Sequence, residues 1–437
     1  MDISRHTSWF EKRVLRRFLD YVPFETTSDR NNSACPSTPG QRVLAEALAG
    51  ELTRLGVSAS VDGNSYVRAR LKANASSIPA LVFIAHLDTS SDAPGGNVTP
   101  RVHTRYDGRP IKLKKGVVID PAASPDLRRY VGGTIITSAG DTLLGADDKA
   151  GLAAIVTAAE FLTLHPEIKH GPVEIIFTPD EEIGRGTDRF PHDFVTAPAG
   201  VTVDGDGEGR VEGECFSAWL VKVSVAGTSY HPGEARGRLV NAVEIAGEFV
   251  SRVPKEESPQ ATDGRFGYYA PISLNGSIET ADCEYIIRDF DDAVCRRRIR
   301  SLRALAASLE SLHPGARVTV KARRQYANMR PFIAGARYDI LGILKEAVRK
   351  AGCEPVEKSI RGGTDGSRLS EGGLPCPNLF DGGYDYHSRR EWASLSAMTR
   401  SAMTLVHLAD LWARKTALRL KGRKTAKGTI IPVPPRG

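Results

Sequence analysis

An open α/β sheet flanked by helices, interrupted by a smaller α+β domain, is the fold class this sequence predicts, and three observations carry it. Short apolar runs in ALVFIAHLDT (80–89), VEIIFTPDEE (173–182) and VTVDGDG (201–207) read as strands buried on both faces, the mark of a parallel sheet covered by helices. Each run stops at acids, a histidine or a Gly-rich turn, which is where such a sheet presents functional side chains at the carboxyl ends of its strands. At 437 residues the chain also exceeds what one hydrophobic core usually supports, so two structural units are expected.

In chain order, residues 10–20 and 41–56 carry the apolar spacing of amphipathic helices, the second closing on Gly56. The run 80–89 is a strand entering a loop, Ala150–Leu164 is an Ala-rich helix, and the runs at 173–182 and 201–207 are two further buried strands. From about Ser217 the texture changes. AWLVKVSVAG (218–227) alternates like a strand with one wet face, and a helix over Asn241–Val253 and a Gly- and Tyr-rich strand region follow. Then come YIIRDF (285–290), a helix from about Asp292 to Leu312, and ARVTVKARRQY (316–326). A β-α-β-β-α-β order is that of a ferredoxin-like sandwich. After Pro331 the helix–strand rhythm resumes and ends on a long helix over 393–415. The expected organisation is a discontinuous domain of residues 1–214 and 328–415, an inserted domain of 215–327, and a basic, Pro-containing tail from 416 to 437.

The net charge of +7 hints at first at nucleic acid or membranes. Eight basic residues and no acid lie between Arg414 and Gly437, however, so the rest of the chain stands at about −1 and the excess belongs to the tail. A solvated tail is favoured over an anionic partner, and neither a nucleic-acid nor a membrane partner is expected. The first residues carry charge throughout, and no segment approaches the roughly 18 apolar residues of a membrane span, so a cytoplasmic protein is expected. Cys35, Cys215, Cys283, Cys295, Cys353 and Cys376 form no CxxC pair, which fits reduced, packed thiols.

The chemistry lies at the strand ends. His86 and Asp88 in IAHLDT stand two apart on a strand and share a side, so the Asp88 carboxylate can orient the imidazole through its second N–H. Asp147 in LLGADDKAG has a carboxylate placed to bridge two cations, although a helix cap at Asp147 or Asp148 would suit the same position. In FTPDEEIG, Glu181 and Glu182 alternate in direction, so one can bind a metal while the other faces substrate as a general base. Asp204 ends a strand, and His387 follows a Gly- and Tyr-rich stretch. Two imidazoles and several carboxylates make a zinc-type site, and hence a metal-dependent hydrolase. No GxSxG or P-loop offers another chemistry.

Taken with longer stretches, the chain up to about residue 415 closely resembles the dinuclear zinc metallopeptidases of the M20 family, and within it the tripeptide aminopeptidases. The stretches are HPG (231–233) with VNA (240–242), VPKEESP, YIIRDF, NMR, IRGGTDG and GLPCPNLFDGGYDYH. The resemblance implies a zinc-peptidase sheet with an inserted lid and dimerisation domain, and two zinc ions per chain. One zinc would be held by His86, Asp147 and Asp204, the other by Asp147, Glu182 and His387. It further implies Asp88 as orienter, Glu181 as base and a cis peptide after Asp147. His231 of a partner subunit would be the oxyanion donor in a homodimer. Arg288 and Arg361 are the expected clamps for the carboxylate of a tripeptide, since a guanidinium fork pairs with it bidentately. Other M20 amidohydrolases, such as dipeptidases, glutamate-releasing carboxypeptidases and N-acyl-amino-acid hydrolases, remain the alternative, and a non-catalytic peptide-binding relative stands behind them. One local departure is YHSRREW where the family has a segment like YHGKHEF: Ser388 replaces a Gly and Arg390 a second His, which alters the pocket beside His387.

Overall fold

The computed structural model describes the backbone of residues 1–425 and the side chains of residues 1–417, so most of the basic tail, residues 426–437, lies outside the described residues. The chain forms two compact units. The larger comprises Met1–Gly213, Phe332–Lys358 and the chain from Thr364 on, and the smaller comprises Glu214–Pro331 with Ser359–Gly363.

In the larger unit, Leu81–His86 and Val173–Thr178 are buried at every residue, as uninterrupted apolar runs require. They pair in parallel, with Leu81 opposite Val173 and His86 opposite Thr178, and Leu81–His86 also pairs in parallel with Gly200–Gly205. Antiparallel strands Ser58–Val61 and Val67–Leu71 extend one edge, and Asn378–Phe380, Arg210–Cys215 and Val356–Ile360 extend the other, giving a mixed sheet of eight strands. The helix Ala146–Leu164 is buried along almost its whole length because it lies between this sheet and two outer helices, Thr7–Tyr21 and Leu395–Thr425. A second sheet joins Arg101–His103, Ile135–Thr137, Trp392–Ser394 and Gly383–Tyr384. These strands are too short to carry a pattern, yet they hold the loop that bears His387. Pairing of Tyr384 with Trp392 closes that loop as a hairpin, and the two rings stack with centroids 4.1 Å apart.

The smaller unit is a four-stranded antiparallel sheet in the order Tyr268–Gly276, Thr280–Asp289, Ser217–Ala226, Arg317–Tyr326. Helices Ala242–Arg252 and Asp292–Leu312 complete the β-α-β-β-α-β sequence of a ferredoxin-like sandwich. Val221, Val223 and Val225 alternate inward and pack with Phe249, Tyr285, Ile299 and Leu309 in its core. The segment Ser359–Gly363, with Arg361, goes with this unit. The last helix runs to Thr425, further than its apolar pattern predicts. Among the described residues, no helix is long and apolar enough to cross a membrane.

Candidate metal centre

The strand register gathers the site. His86 is the last residue of its strand, Glu181 and Glu182 follow the neighbouring Val173–Thr178, and Asp204 stands near the end of Gly200–Gly205, so three carboxyl ends converge. Asp147 enters at the start of Ala146–Leu164, where the backbone is not yet helical and the Asp147–Asp148 peptide is cis, as the resemblance implies. Gly151 lets this helix start approach the sheet: a Cβ there would lie 2.1 Å from both an Asp148 oxygen and the Val203 carbonyl.

Two imidazoles face the two oxygens of one carboxylate. His86 Nε2 lies 2.8 Å from Asp147 Oδ1 and 3.6 Å from Asp204 Oδ1. His387 Nε2 lies 3.3 Å from Asp147 Oδ2 and 3.0 Å from Glu182 Oε2. Donor atoms of His86, Asp147 and Glu182 fall within 4.8 Å of one another, as do those of His86, Asp148 and Asp204. Asp148, which sequence reasoning weighed only as a cap, has both oxygens engaged, accepting the His86 amide at 3.1 Å and the Gly151 amide at 3.1 Å.

The supports are as specific as the donors. The Asp88 carboxylate accepts the amides of Glu181 at 2.9 Å and Glu182 at 3.1 Å, while His86 Nδ1 meets the Asp88 backbone oxygen at 2.9 Å and its Oδ1 at 3.5 Å. Asp88 thus anchors the Glu181–Glu182 turn as well as the imidazole. Asp180 does similar work one residue earlier, accepting Ser37 and Gln41 donors. Glu391 accepts the amides of Leu144, Gly145 and Asp147. Nothing in the sequence pattern singles out Asp180 or Glu391, because their roles depend on contacts between distant segments.

The electrostatics call for cations. Burial pushes Asp204 and Glu182 up to about 7, Asp365 up to about 6, and Glu181, Asp148 and Asp381 well above the carboxylate range. Asp147 goes the other way: burial would raise it, but hydrogen bonds from His387 and His86 hold it well below the usual range. Those same bonds work in reverse on the histidines. Asp147 and Glu182 push His387 up to about 11, and Asp147, Asp204 and Asp88 overcome burial to raise His86. Among the described residues, Glu182 Oε1 and Asp381 Oδ2 are buried without a hydrogen-bond partner. A packed set of acids with unsatisfied oxygens and two imidazoles fits divalent cations, which would displace these protons.

The remaining expected site residues belong to the smaller unit. His231 is exposed, and its Nδ1 accepts the Gly233 amide at 3.1 Å, which leaves Nε2 to carry the proton and donate. Arg361 spends its terminal nitrogens on the Thr262 carbonyl at 2.6 Å, the Thr262 hydroxyl at 2.8 Å and the Phe266 carbonyl at 3.1 Å. Arg288 donates to the Arg361 carbonyl at 3.1 Å and keeps a buried Nε without a partner among the described residues. In the larger unit, Ser388 and Arg390, the two departures beside His387, line a cleft of about 300 Å³ with Asp120, Asp385 and Tyr386.

Residues 145–411 match the model of peptidase family M20/M25/M40. The chain is 44% identical to peptidase T of Listeria welshimeri over 409 residues, covering 93% of this chain and all of that protein. It is 43% identical to peptidase T of Geobacillus kaustophilus over 415 residues, with the same coverage. Among solved structures, aminopeptidase PepT from Bacillus cereus superposes with a TM-score of 0.72 at 20% identity, over 92% of this chain and 99% of that one. A dinuclear metal-binding M20 peptidase from Bacillus subtilis gives 0.64 at 14% identity, over 93% and 99%, a likeness of fold. With nearly full-length identity of this order, the chain is a peptidase belonging to family M20/M25/M40, in its peptidase T branch.

Proposed function

We propose that the protein is a cytoplasmic zinc aminopeptidase that releases the N-terminal residue of tripeptides, using two zinc ions per chain. The single observation that carries this is Asp147, whose two oxygens face two different imidazoles. His86, Asp147 and Asp204 would hold one ion, and Asp147, Glu182 and His387 the other. When bound, the pair supplies a water acidified toward neutral pH and a Lewis acid for the peptide carbonyl.

The chain's own residues do the rest. Glu181 takes the proton of the attacking water and returns it to the leaving amine. Asp88 fixes the turn from which Glu181 reaches. His231, with its proton on Nε2, donates to the oxyanion from the partner in a homodimer built through the smaller unit, the family's lid. Arg288 pairs with the peptide's carboxylate, and Arg361, whose carbonyl accepts from Arg288, steadies the Thr262–Phe266 turn. The test is metal-loaded protein incubated with tripeptides, N-acetylated tripeptides and dipeptides, with products read by mass spectrometry. Release of the first residue from free tripeptides supports the reading. Cleavage of dipeptides or blocked peptides in preference would overturn it in favour of another M20 amidohydrolase.

A further inference from the structure

Two loops carry the donors of the metal position formed by Asp147, Glu182 and His387 that come from opposite ends of the chain, and one side chain joins them. Glu391 is buried at 1% exposure. Its Oε2 accepts the Leu144 amide at 2.7 Å and the Gly145 amide at 2.8 Å, and its Oε1 accepts the Asp147 amide at 3.1 Å. All three donors belong to the turn that presents Asp147. Glu391 itself belongs to the hairpin that presents His387. Its amide donates to the Ser388 carbonyl at 3.2 Å, and the next residue, Trp392, is fully buried in the strand that pairs with Ile135–Thr137. The hairpin end is therefore fixed to a sheet, and the carboxylate is a strut from that sheet to the Asp147 turn.

The other metal position has a different strut. Asp148 receives the His86 amide, so the spacing of His86 and Asp147 is set next to Asp147 itself and does not depend on the hairpin. Among the described residues, the further side-chain support of the His387 ring is Asp92, at 3.1 Å from Nδ1, and the Asp92 side chain is 65% exposed. A loose rim contact of this kind holds a ring weakly. We infer that Glu391 is a positioning residue that sets the separation of Asp147 and His387, and thereby governs how tightly the position they share with Glu182 holds its ion. The inference rests on the dinuclear reading above.

Two variants separate positioning from mere packing. Glu391→Gln keeps the shape but must turn an NH₂ toward at least one of the three amide N–H groups, so a donor meets a donor. Glu391→Asp keeps the charge but withdraws the strut by one methylene. Metal-free wild type and both variants are titrated with Zn²⁺ against a chromophoric chelator, and the fold of each is checked by thermal unfolding in the metal-free state. Wild type is expected to take up two ions. Both variants are expected to bind the first ion much as wild type does and the second about 10- to 100-fold more weakly. Their turnover should recover as free Zn²⁺ is raised, which a purely structural defect would not allow. Second-ion affinity unchanged in both variants, both steps weakened alike, or loss of fold in both would overturn the inference. Uptake of a single ion by wild type would instead overturn the dinuclear reading on which it stands.

Discussion

Replacing Asp88 by Asn keeps the side chain's shape and removes one acceptor from a carboxylate with no solvent exposure. In the native chain both oxygens are used, by the Glu181 amide at 2.9 Å and the Glu182 amide at 3.1 Å. Asparagine offers one oxygen and one NH₂, so one of those two amides faces a donor in a buried place. A hydrogen bond to a charged group contributes about 1.5–3 kcal/mol, and the unsatisfied amide adds a penalty of similar size if the turn does not move. The turn can relieve the penalty only by swinging Glu181 and Glu182 away from their present positions. The same loss therefore shows as reactive geometry. Taking about 1.5–3 kcal/mol off transition-state stabilisation gives a fall of roughly 10- to 150-fold in kcat. The assay is initial rates on a tripeptide across a range of concentrations, with zinc content measured on the same preparations. KM should change little, because the lost interaction holds the Glu181–Glu182 turn, with the proposed base on it, and is not itself assigned a contact with substrate. Turnover within about 2-fold of wild type at equal zinc loading would refute the idea that Asp88 orients the Glu181–Glu182 turn.

Other outcomes follow from the same geometry. Glu181→Gln should keep both metals yet lower kcat by at least about 10²-fold, and near-normal turnover at full loading would remove Glu181 from the role of base. If His231 acts across a dimer, mixing inactive Glu181→Ala subunits with inactive His231→Ala subunits should restore part of the activity. No recovery after verified subunit exchange would return His231 to its own chain or exclude it from catalysis. Zinc affinity should rise between pH 6 and 8, because burial holds protons on Asp204 and Glu182 up to about 7 and their partners hold one on His387 up to about 11. The sign for folding is opposite. These raised groups contribute stability that is complete at low pH and is lost as pH rises through about 7, so the metal-free protein should melt lower at pH 8 than at pH 5, and the metal-loaded protein should not. A metal-free melting temperature that climbs over that range would contradict the burial of these acids.

The sheet and its strand ends were legible because strands buried on both faces write uninterrupted apolar runs, and such a run can stop only where the chain meets solvent or function. His86, Asp204 and the Glu181–Glu182 pair fall at such stops, and the structure brings them together with Asp147 and His387. The ferredoxin-like order was legible for a related reason: Val221, Val223 and Val225 face inward with wetter residues between them. What could not be read was held by long-range hydrogen bonds. Glu391 meets the Asp147 amide across 244 residues, and Asp180 meets Gln41 across 139. Neither leaves a local pattern. Arg361 is a further case: three of its guanidinium N–H groups donate to Thr262 and Phe266, contacts across about 95 to 99 residues that no local pattern announces. The short strands around His387 escape periodicity altogether, as runs of two or three residues must.

The bridging role of Asp147 is tested most directly by counting zinc per chain, by elemental analysis of dialysed wild type beside Asp147→Ala. One carboxylate shared by two ions predicts close to two zincs in the wild type and the loss of both positions together in the variant. A single tight zinc supporting full activity in the wild type, or two zincs retained without Asp147, would contradict it.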